Sequence, residues 1–358
     1  MSEMKLITFD PLDSLFFREA KPFNASEGGF LDSQFPPPAQ TLSGAVRTEI
    51  GEANRIDWAD KQKVEELVGA TGDDPKPLVF AGPYLLKDGQ RLYPIPLNLL
   101  YKGWVRLVPS DSKFITDMGE RQLPTPEKSI EGAKPIEGGW LDASNMQKVL
   151  NGSLPDSFIA ADEIFVREPR VGIGRDNQKS VVNEGLLYFT RHLRFKEGIT
   201  LGMGVGGVEK LPNGGIIRLG GEGRIACMAV DEMPAALTAP ILSGQEKGLI
   251  LTLLTHGDFG GKGEPDWNIV HPKLKLVSAC IGKPVREGGW DYTANNGNEG
   301  KGAPKPLKSL VPAGSCYFLE VTTGDNLMNV IKQLYDTRKH IGQRNKFGYG
   351  EIAVGLWK

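Results

Sequence analysis

Apolar and polar positions alternate at the start of the chain: Lys5, Ile7 and Phe9 share one face of a short strand that Asp10-Pro11 ends. After a polar loop comes the run FPPP from Phe35 to Pro38. Proline fixes its own φ and holds its predecessor extended, so this run stiffens the entry to the next element. The spacing of Leu42, Ala45, Val46 and Ile50 then predicts a helix facing a core, with Gln40, Ser43, Gly44 and Arg47 on the other stripe. A second helical run covers Asp60 to Val68, with Val64, Leu67 and Val68 on one side. From about 75 to 162 no long period holds, and Pro and Gly are dense. This stretch reads as an insertion of loops and short strands for contacting a protein neighbour. Its charge is acidic: Asp111, Asp117, Glu120, Glu127, Glu131, Glu137 and Asp142 outnumber Lys113, Arg121, Lys128 and Lys134.

Leu186 to Phe195 alternates as a strand. One face is Leu187, Phe189, Leu193 and Phe195, interrupted by Arg191; the other is Tyr188, Thr190, His192 and Arg194. Asn213-Gly214 predicts a hairpin joining the segment from Gly204 to the segment from Gly215. Pro234 to Gly248 reads as a linker, Leu249 opens a buried-type strand, and Asp291 to Pro306 reads as a mobile stretch. Ser315 to Val321 is a strand. Leu327, Val330, Ile331, Leu334 and Arg338 keep the helical period, with Asp325 as the expected N-cap. Glu351 to Trp357 alternates again. Strand, helix and strands, met twice, predict an α+β fold of two ferredoxin-like (RRM-like, split βαβ) domains with long loop-rich insertions. The expected boundaries are 1–235, with the insertion at about 75–162, and 236–358, ending in a glycine-rich loop and a strand.

Composition narrows the function. Of 358 residues, 40% are hydrophobic and 24% charged, which supports a core and excludes global disorder. The 45 glycines mark many backbone positions that need positive φ or close approach. Net charge is −2, so any polyanion site is a local patch and not a general basic coat. Cys227, Cys280 and Cys316 lack a CxxC spacing, which excludes a disulfide framework or a cysteine zinc site and fits a reducing, cytoplasmic compartment. The longest aliphatic run, LILTLL from Leu249, is far short of the ~20 residues that span a bilayer. Glu3, Asp10 and Asp13 stand where a signal peptide needs apolar residues. No membrane partner is expected.

Several motifs fail on context. Gly202, Gly204 and Gly207 spell GxGxxG, but Pro212 and the Asn213-Gly214 turn come where a dinucleotide site needs a helix. GDFGGK from Gly257 to Lys262 is one residue short of a phosphate loop, and Gly263 replaces its metal-binding hydroxyl. His192, His256, His271 and His340 lack a metal-ligand spacing, and there is no GxSxG elbow. No cofactor, metal or catalytic residue is expected.

Two basic segments remain. Val166 to Lys196 carries seven bases and three acids, a local charge of 7 − 3 = +4, and includes Arg170, Arg175, Lys179, His192 and Arg194. Arg338 to Gly350 holds Lys339, His340, Gly342, Arg344, Asn345, Lys346, Gly348 and Gly350 with Phe347 and Tyr349 and no acid. Glycines let backbone N–H groups approach phosphates, cations neutralise them, and rings offer stacking surfaces. The same residues also fit a solvated turn behind a helix C-terminus and an exposed strand face. Two such patches in corresponding places point to single-stranded RNA.

FDPLDSLFFREAKPF (from Phe9), FPPPAQTLSGAVRT (from Phe35) and EPRVGIGRDNQKSVVNEGLLYFTRHLRF (from Glu168) occur in that order. LGGEGR (from Leu219), GKPVREGGWD (from Gly282) and GQRNKFGYG (from Gly342) come after them. Together they resemble the third Cmr subunit, a RAMP-superfamily protein of type III-B CRISPR effector complexes, from first strand to last. The resemblance implies two ferredoxin-like domains capping one end of the complex, without catalysis of their own. It implies binding of the 5′ handle of the guide RNA, and contact with the large polymerase/cyclase-like subunit and backbone RAMP subunits. Carried onto this chain, it makes Gly342, Gly348, Gly350, Arg344 and Lys346 holders of handle phosphates. Arg18, Lys21, Arg47, Arg170, Arg175 and Arg224 come next. The alternative is a RAMP endoribonuclease processing precursor guide RNA, for which His192 and His340 are the paired acid–base candidates. A scaffold touching only proteins is the third possibility.

Overall fold

The computed structural model describes residues 4–20, 30–69, 74–176, 181–212, 214–291, 302–322, 326–337 and 339–358. Lys21, Lys179, Asn213, Asp325, Arg338 and most of the stretch expected to be mobile lie outside them.

In chain order the first elements are β1 (Lys5–Pro11), β2 (Phe30–Leu31), α1 (Ala39–Ala53), α2 (Lys61–Val68), β3 (Val79–Lys87), β4 (Gln90–Pro94) and β5 (Leu99–Tyr101). Next come β6 (Val105–Thr116), β7 (Gly119–Pro126), β8 (Lys134–Pro135), β9 (Gly139–Leu141), α3 (Ala143–Leu150), β10 (Ile159–Ala160) and α4 (Ala161–Ile164). The central stretch holds β11 (Phe165–Asp176), β12 (Val181–Phe195), β13 (Ile199–Gly206), β14 (Gly215–Arg218), β15 (Ile225–Glu232), β16 (Gly248–Leu253), α5 (Trp267–Val270) and β17 (Leu274–Cys280). The last are β18 (Val285–Glu287), β19 (Trp290–Asp291), β20 (Ala303–Pro304), β21 (Lys308–Leu310), β22 (Cys316–Val321), α6 (Leu327–Thr337) and β23 (Ile352–Trp357). No helix among the described residues is long and apolar enough to cross a membrane.

The chain forms two compact units, each assembled from three separated stretches. The first comprises 1–89, 162–233 and 286–307; the second comprises 90–161, 234–285 and 308–358.

In the first unit β3, β13, β1, β15 and β14 lie side by side, every neighbour antiparallel. Helix α1 buries Leu42, Val46 and Ile50 completely, as its spacing predicts. Helix α2 begins at Asp60, whose side chain accepts the Lys63 N–H and relieves one of the unpaired donors of a helix start. Two expectations change here. The region from 75 is not all insertion, because β3 is a nine-residue strand paired along β13. The expected hairpin around Gly214 does not form: β13 pairs with β1 and β3, while β14 pairs with β15. The turn that folds β14 onto β15 is instead Leu219 to Arg224, closed by Leu219 N–H donating to the Arg224 carbonyl. A separate sheet orders β11, β12 and β2, the long β11–β12 pair antiparallel and β2 parallel to β12.

The second unit is built on the antiparallel sheet β17-β22-β16-β23. Leu249, Leu251, Leu253, Tyr317, Leu319, Val354 and Leu356 alternate onto one face and bury against Val330, Ile331 and Leu334 of α6. Asn326 starts that helix region by accepting the Met328 N–H. The other face collects Val277, Cys280, Cys316, Phe318 and Trp357. Helix α3 adds Met146 and Leu150 to a core cluster that contains Ala353 of β23. Smaller antiparallel ladders are β10-β9-β4 and β7-β6-β5-β8.

Candidate nucleic-acid interface

Alternation along β11 and β12 sets Glu168 and Arg170 on the same face as Thr190, His192 and Arg194, since Glu168 is opposite His192 and Arg170 opposite Thr190. Asp13 reaches this face from just beyond β1, where Leu15 bridges Leu193. Arg224 arrives from the β14–β15 turn. Gly220 sits there at φ +81°, and a Cβ would lie 2.4 Å from the Phe16 carbonyl oxygen, so only glycine lets the turn seat on that segment.

The side chains converge on Asp13. Arg170 Nη2 and Arg224 Nη1 each donate to Oδ2 at 3.0 Å, and Arg194 Nη2 lies 2.8 Å from Oδ1. Glu168 holds two of the same arginines from behind: Arg170 Nε donates to Oε1 at 2.9 Å and Arg194 Nε to Oε2 at 2.6 Å. The hydrogen bond from Arg170, reinforced by that from Arg194, lowers the Asp13 pKa to about 2. Arg194 likewise holds Glu168 below the usual carboxylate range. Three guanidinium groups facing two carboxylates leave a surplus positive charge. Beside them lies a hollow of about 280 Å³ rimmed by Asp10, Asp13, Arg194, Lys196 and Glu197.

The opposite face of the same sheet is apolar and cationic by turns. Asp32 pairs with Arg167 at 2.6 Å and Arg191 at 3.0 Å. The Arg191 guanidinium stacks 4.5 Å over the Phe30 ring, and Arg167 lies 5.5 Å from the Phe165 ring. Farther out, Val171 pairs with Phe189 and Ile173 with Leu187, while Phe30 is the β2 partner of Phe189. All five are exposed, Val171 to 64% and Phe189 to 37%.

This reverses part of the expected facing of β12. His192 and Thr190 are buried, while Leu187 and Phe189 are out. The polar face packs on the segment after β1: His192 stacks on Phe16 at 5.0 Å, Nδ1 lies 3.3 Å from Ser14 Oγ, and Nε2 lies 3.1 Å from Thr190 Oγ1. Burial first, then the charges of Arg224 and Arg170, push its pKa down to about 4. His192 is a neutral core imidazole, and His340 belongs to the other unit.

Other expected residues are placed elsewhere. Arg47 donates through Nε to the Val68 carbonyl at 2.6 Å and through Nη2 to the Gly69 carbonyl at 2.7 Å, closing the end of α2. Arg18 is exposed and bridges Ser33 through the backbone. Arg175 lies in β11. In the second unit the glycine loop turns inward. Arg344, expected on phosphate, donates through Nε to Asp258 at 2.6 Å and stacks 4.1 Å over Tyr349. Phe347, Gly348, Tyr349 and Gly350 are buried. A Cβ on Gly342 would meet the Asp258 carbonyl oxygen at 2.6 Å, and one on Gly350 the Ile341 oxygen at 1.9 Å. These glycines serve close loop packing inside the unit. Lys339, Gly342 and Asn345 remain exposed, with Lys346 and His340 half-buried; burial lowers the His340 pKa.

Asp13, Glu168, Asp32, Arg167, Arg191 and Phe30 were not singled out in the sequence as site residues. Period-two alternation from Phe165 would have placed Glu168 and Arg170 on one face, but nothing local indicated that Asp13 or Arg224 joins them.

The family model described as CRISPR-associated protein (Cas_Cmr3) matches residues 7–357. No curated protein matches. Among solved structures, a chain from a type III-B Cmr-beta complex bound to cognate target RNA is 15% identical over 99% of both chains, with a TM-score of 0.48. A chain of a Csm3-Csm4 subcomplex from a type III-A CRISPR-Cas interference complex is 11% identical over 90% of this chain and 94% of that one, with a TM-score of 0.40.

Proposed function

The chain belongs to the Cas_Cmr3 family of CRISPR-associated proteins, and from this membership we propose that it is a non-catalytic RNA-binding subunit of a type III-B effector complex. It grips the unpaired 5′ handle of the guide RNA in the cytoplasm and caps the complex beside the large polymerase/cyclase-like subunit and the backbone subunits. The two units act as ferredoxin-like platforms. In each, four strands numbered in chain order lie side by side as second, third, first, fourth: β3-β13-β1-β15 and β17-β22-β16-β23.

The observation that supports RNA as the ligand is the β11–β12–β2 sheet. One face gathers Arg170, Arg194 and Arg224; the other alternates Arg167 and Arg191 with Phe30, Phe165 and Phe189. Guanidinium forks suit phosphate oxygens, and the exposed rings of Phe30 and Phe189 beside them suit splayed bases, while Phe165 is buried beneath Arg167. Nuclease chemistry finds no support at His192, because a buried imidazole with a pKa of about 4 is a poor proton donor or acceptor near neutrality.

The test reconstitutes the effector complex with wild-type chain or with Arg194→Ala plus Arg224→Ala, and maps crosslinks to guide RNA. Loss of handle crosslinks with assembly of the protein subunits preserved is the expected result. Unchanged crosslinking would overturn the assignment. Incubation with repeat RNA, with and without chelator, checks the nuclease alternative: site-specific cleavage lost in His340→Ala would favour it.

A further inference from the structure

Three arginines from three separate segments meet on a single carboxylate, and that carboxylate is accessible: the Asp13 side chain is 42% exposed. We propose that Asp13 is an internal competitor of RNA phosphate, occupying the point on which Arg170, Arg194 and Arg224 converge until a phosphodiester oxygen displaces it. The inference rests on the RNA-binding reading and deepens it, assigning opposite roles to the two acids of the cluster.

Glu168 is the positioning acid. It engages the Nε of Arg170 and of Arg194. Arg194 Nη2 is left directed at Asp13, and Arg170 Nη2 is shared, 2.7 Å from Glu168 Oε1 and 3.0 Å from Asp13 Oδ2. Without Glu168 the two guanidinium groups would lose the contact that fixes their planes. Asp13 is the placeholder. It lies past the end of β1, outside the β11–β12 ladder, and meets the cluster through its side chain. Its two oxygens receive three guanidinium donors, two of them on Oδ2, besides the backbone N–H of Ser14. A phosphodiester carries the same single negative charge and presents its oxygens to several forks at once.

Asp13 stays tethered beside the site after displacement, so an incoming phosphodiester takes over its contacts against a nearby carboxylate, and this site alone adds little net attraction for a polyanion. The contacts are part-buried, with Asp13 42% exposed against 29% for Arg170 and 21% for Arg224, so the carboxylate can turn out to solvent while those two guanidinium groups stay seated. The consequence is selectivity. An RNA that also fits the stacking surfaces of the sheet can displace Asp13, whereas a random anion gains almost nothing by doing so. Asp13 thereby suppresses nonspecific binding by arginines that must otherwise stay exposed.

The experiment measures binding of fluorescein-labelled handle RNA and of an unrelated oligouridylate by anisotropy. It uses the full-length chain, alone and assembled with its complex, at one fixed salt concentration. The variants are Asp13→Asn, Asp13→Ser, Arg194→Ala and the double variant Asp13→Asn/Arg194→Ala, each with a melting curve. Asp13→Asn should tighten binding about two- to fivefold, the oligouridylate more than the handle. Arg194→Ala should weaken binding and shrink the Asp13 effect. A structural clamp would not produce that coupling. If Arg194→Ala weakens binding while Asp13→Asn leaves it unchanged or weaker, the competitor role is wrong and the RNA reading stands. If no variant and no wild-type preparation binds either RNA, the RNA reading itself fails. If both Asp13 substitutions abolish cooperative melting, the carboxylate is a structural clamp and the inference is overturned.

Discussion

Arg344 and Asp258 form an ion pair almost wholly out of water: Arg344 Nε lies 2.6 Å from Asp258 Oδ2, and the side chains are 5% and 3% exposed. The pair joins the glycine-rich loop to the segment after β16, and the Tyr349 ring closes it from one side at 4.1 Å. A guanidinium held this way cannot reach a phosphate without leaving Asp258 buried with only the longer contact to Lys308, 3.7 Å away.

Arg344→Ala should therefore act on stability. Removing one member of a buried pair costs up to about 3–5 kcal/mol when the other charge is left uncompensated, and Lys308 at 3.7 Å from Asp258 offsets part of that cost here. Thermal or denaturant unfolding of the full chain would read this as a lower midpoint, with RNA affinity of the folded fraction unchanged. A variant that melts like wild type and binds RNA more weakly would refute the structural role.

Arg47 makes a similar case on a smaller scale. Its two hydrogen bonds satisfy carbonyls at the end of α2, where a helix leaves acceptors unpaired. Arg47→Ala should cost roughly 1–3 kcal/mol by leaving part-buried carbonyls unsatisfied. Hydrogen exchange should show faster opening of α2 amides, with RNA crosslinking undiminished.

His192 gives stability a pH dependence whose sign is fixed by its burial. Its folded pKa is depressed to about 4 from the ordinary 6.5, so between those values the unfolded chain binds more protons than the folded one. Its contribution is fully present above about pH 6.5 and is lost progressively toward about pH 4, reaching roughly 3 kcal/mol in total. His256, lowered by burial to about 4 as well, acts in the same direction in the second unit. Asp13 adds a later loss: its depressed pKa contributes stability above the ordinary carboxylate range that disappears as pH falls through about 2. Urea midpoints measured from pH 7 to pH 4 should fall for wild type and fall less steeply for His192→Phe. An equal slope in that variant would rule out His192 as a source.

Phe30 and Phe189 are exposed neighbours across the β2–β12 pairing, so they contribute little to the core. Replacing both with serine should leave the melting temperature within a few degrees. Loss of base stacking is worth ~1–3 kcal/mol per base, so crosslinking to guide RNA should drop by about tenfold or more. A fall in melting temperature with intact crosslinking would place these rings in folding and not in binding.

Sequence by itself determined the local elements and the family. The helical stripe Leu42, Val46 and Ile50 and the stripe Val330, Ile331 and Leu334 were legible because side chains spaced at the helical period must share a face. The ordered motifs from Phe9 to Gly350 pointed to the family whose model matches 7–357. What tertiary structure alone decided was burial and partnership. Asp13 meets Arg170 and Arg224 across 157 and 211 residues of chain, and Arg344 meets Asp258 across 86. Alternation showed that β12 has two faces but not which one the segment after β1 would cover, so the face of His192, read as open to a ligand, is the one packed inward. A period records which side chains point the same way. Only the packing of distant segments settles what they point at, and so whether a cation is free for a ligand or bound within the fold.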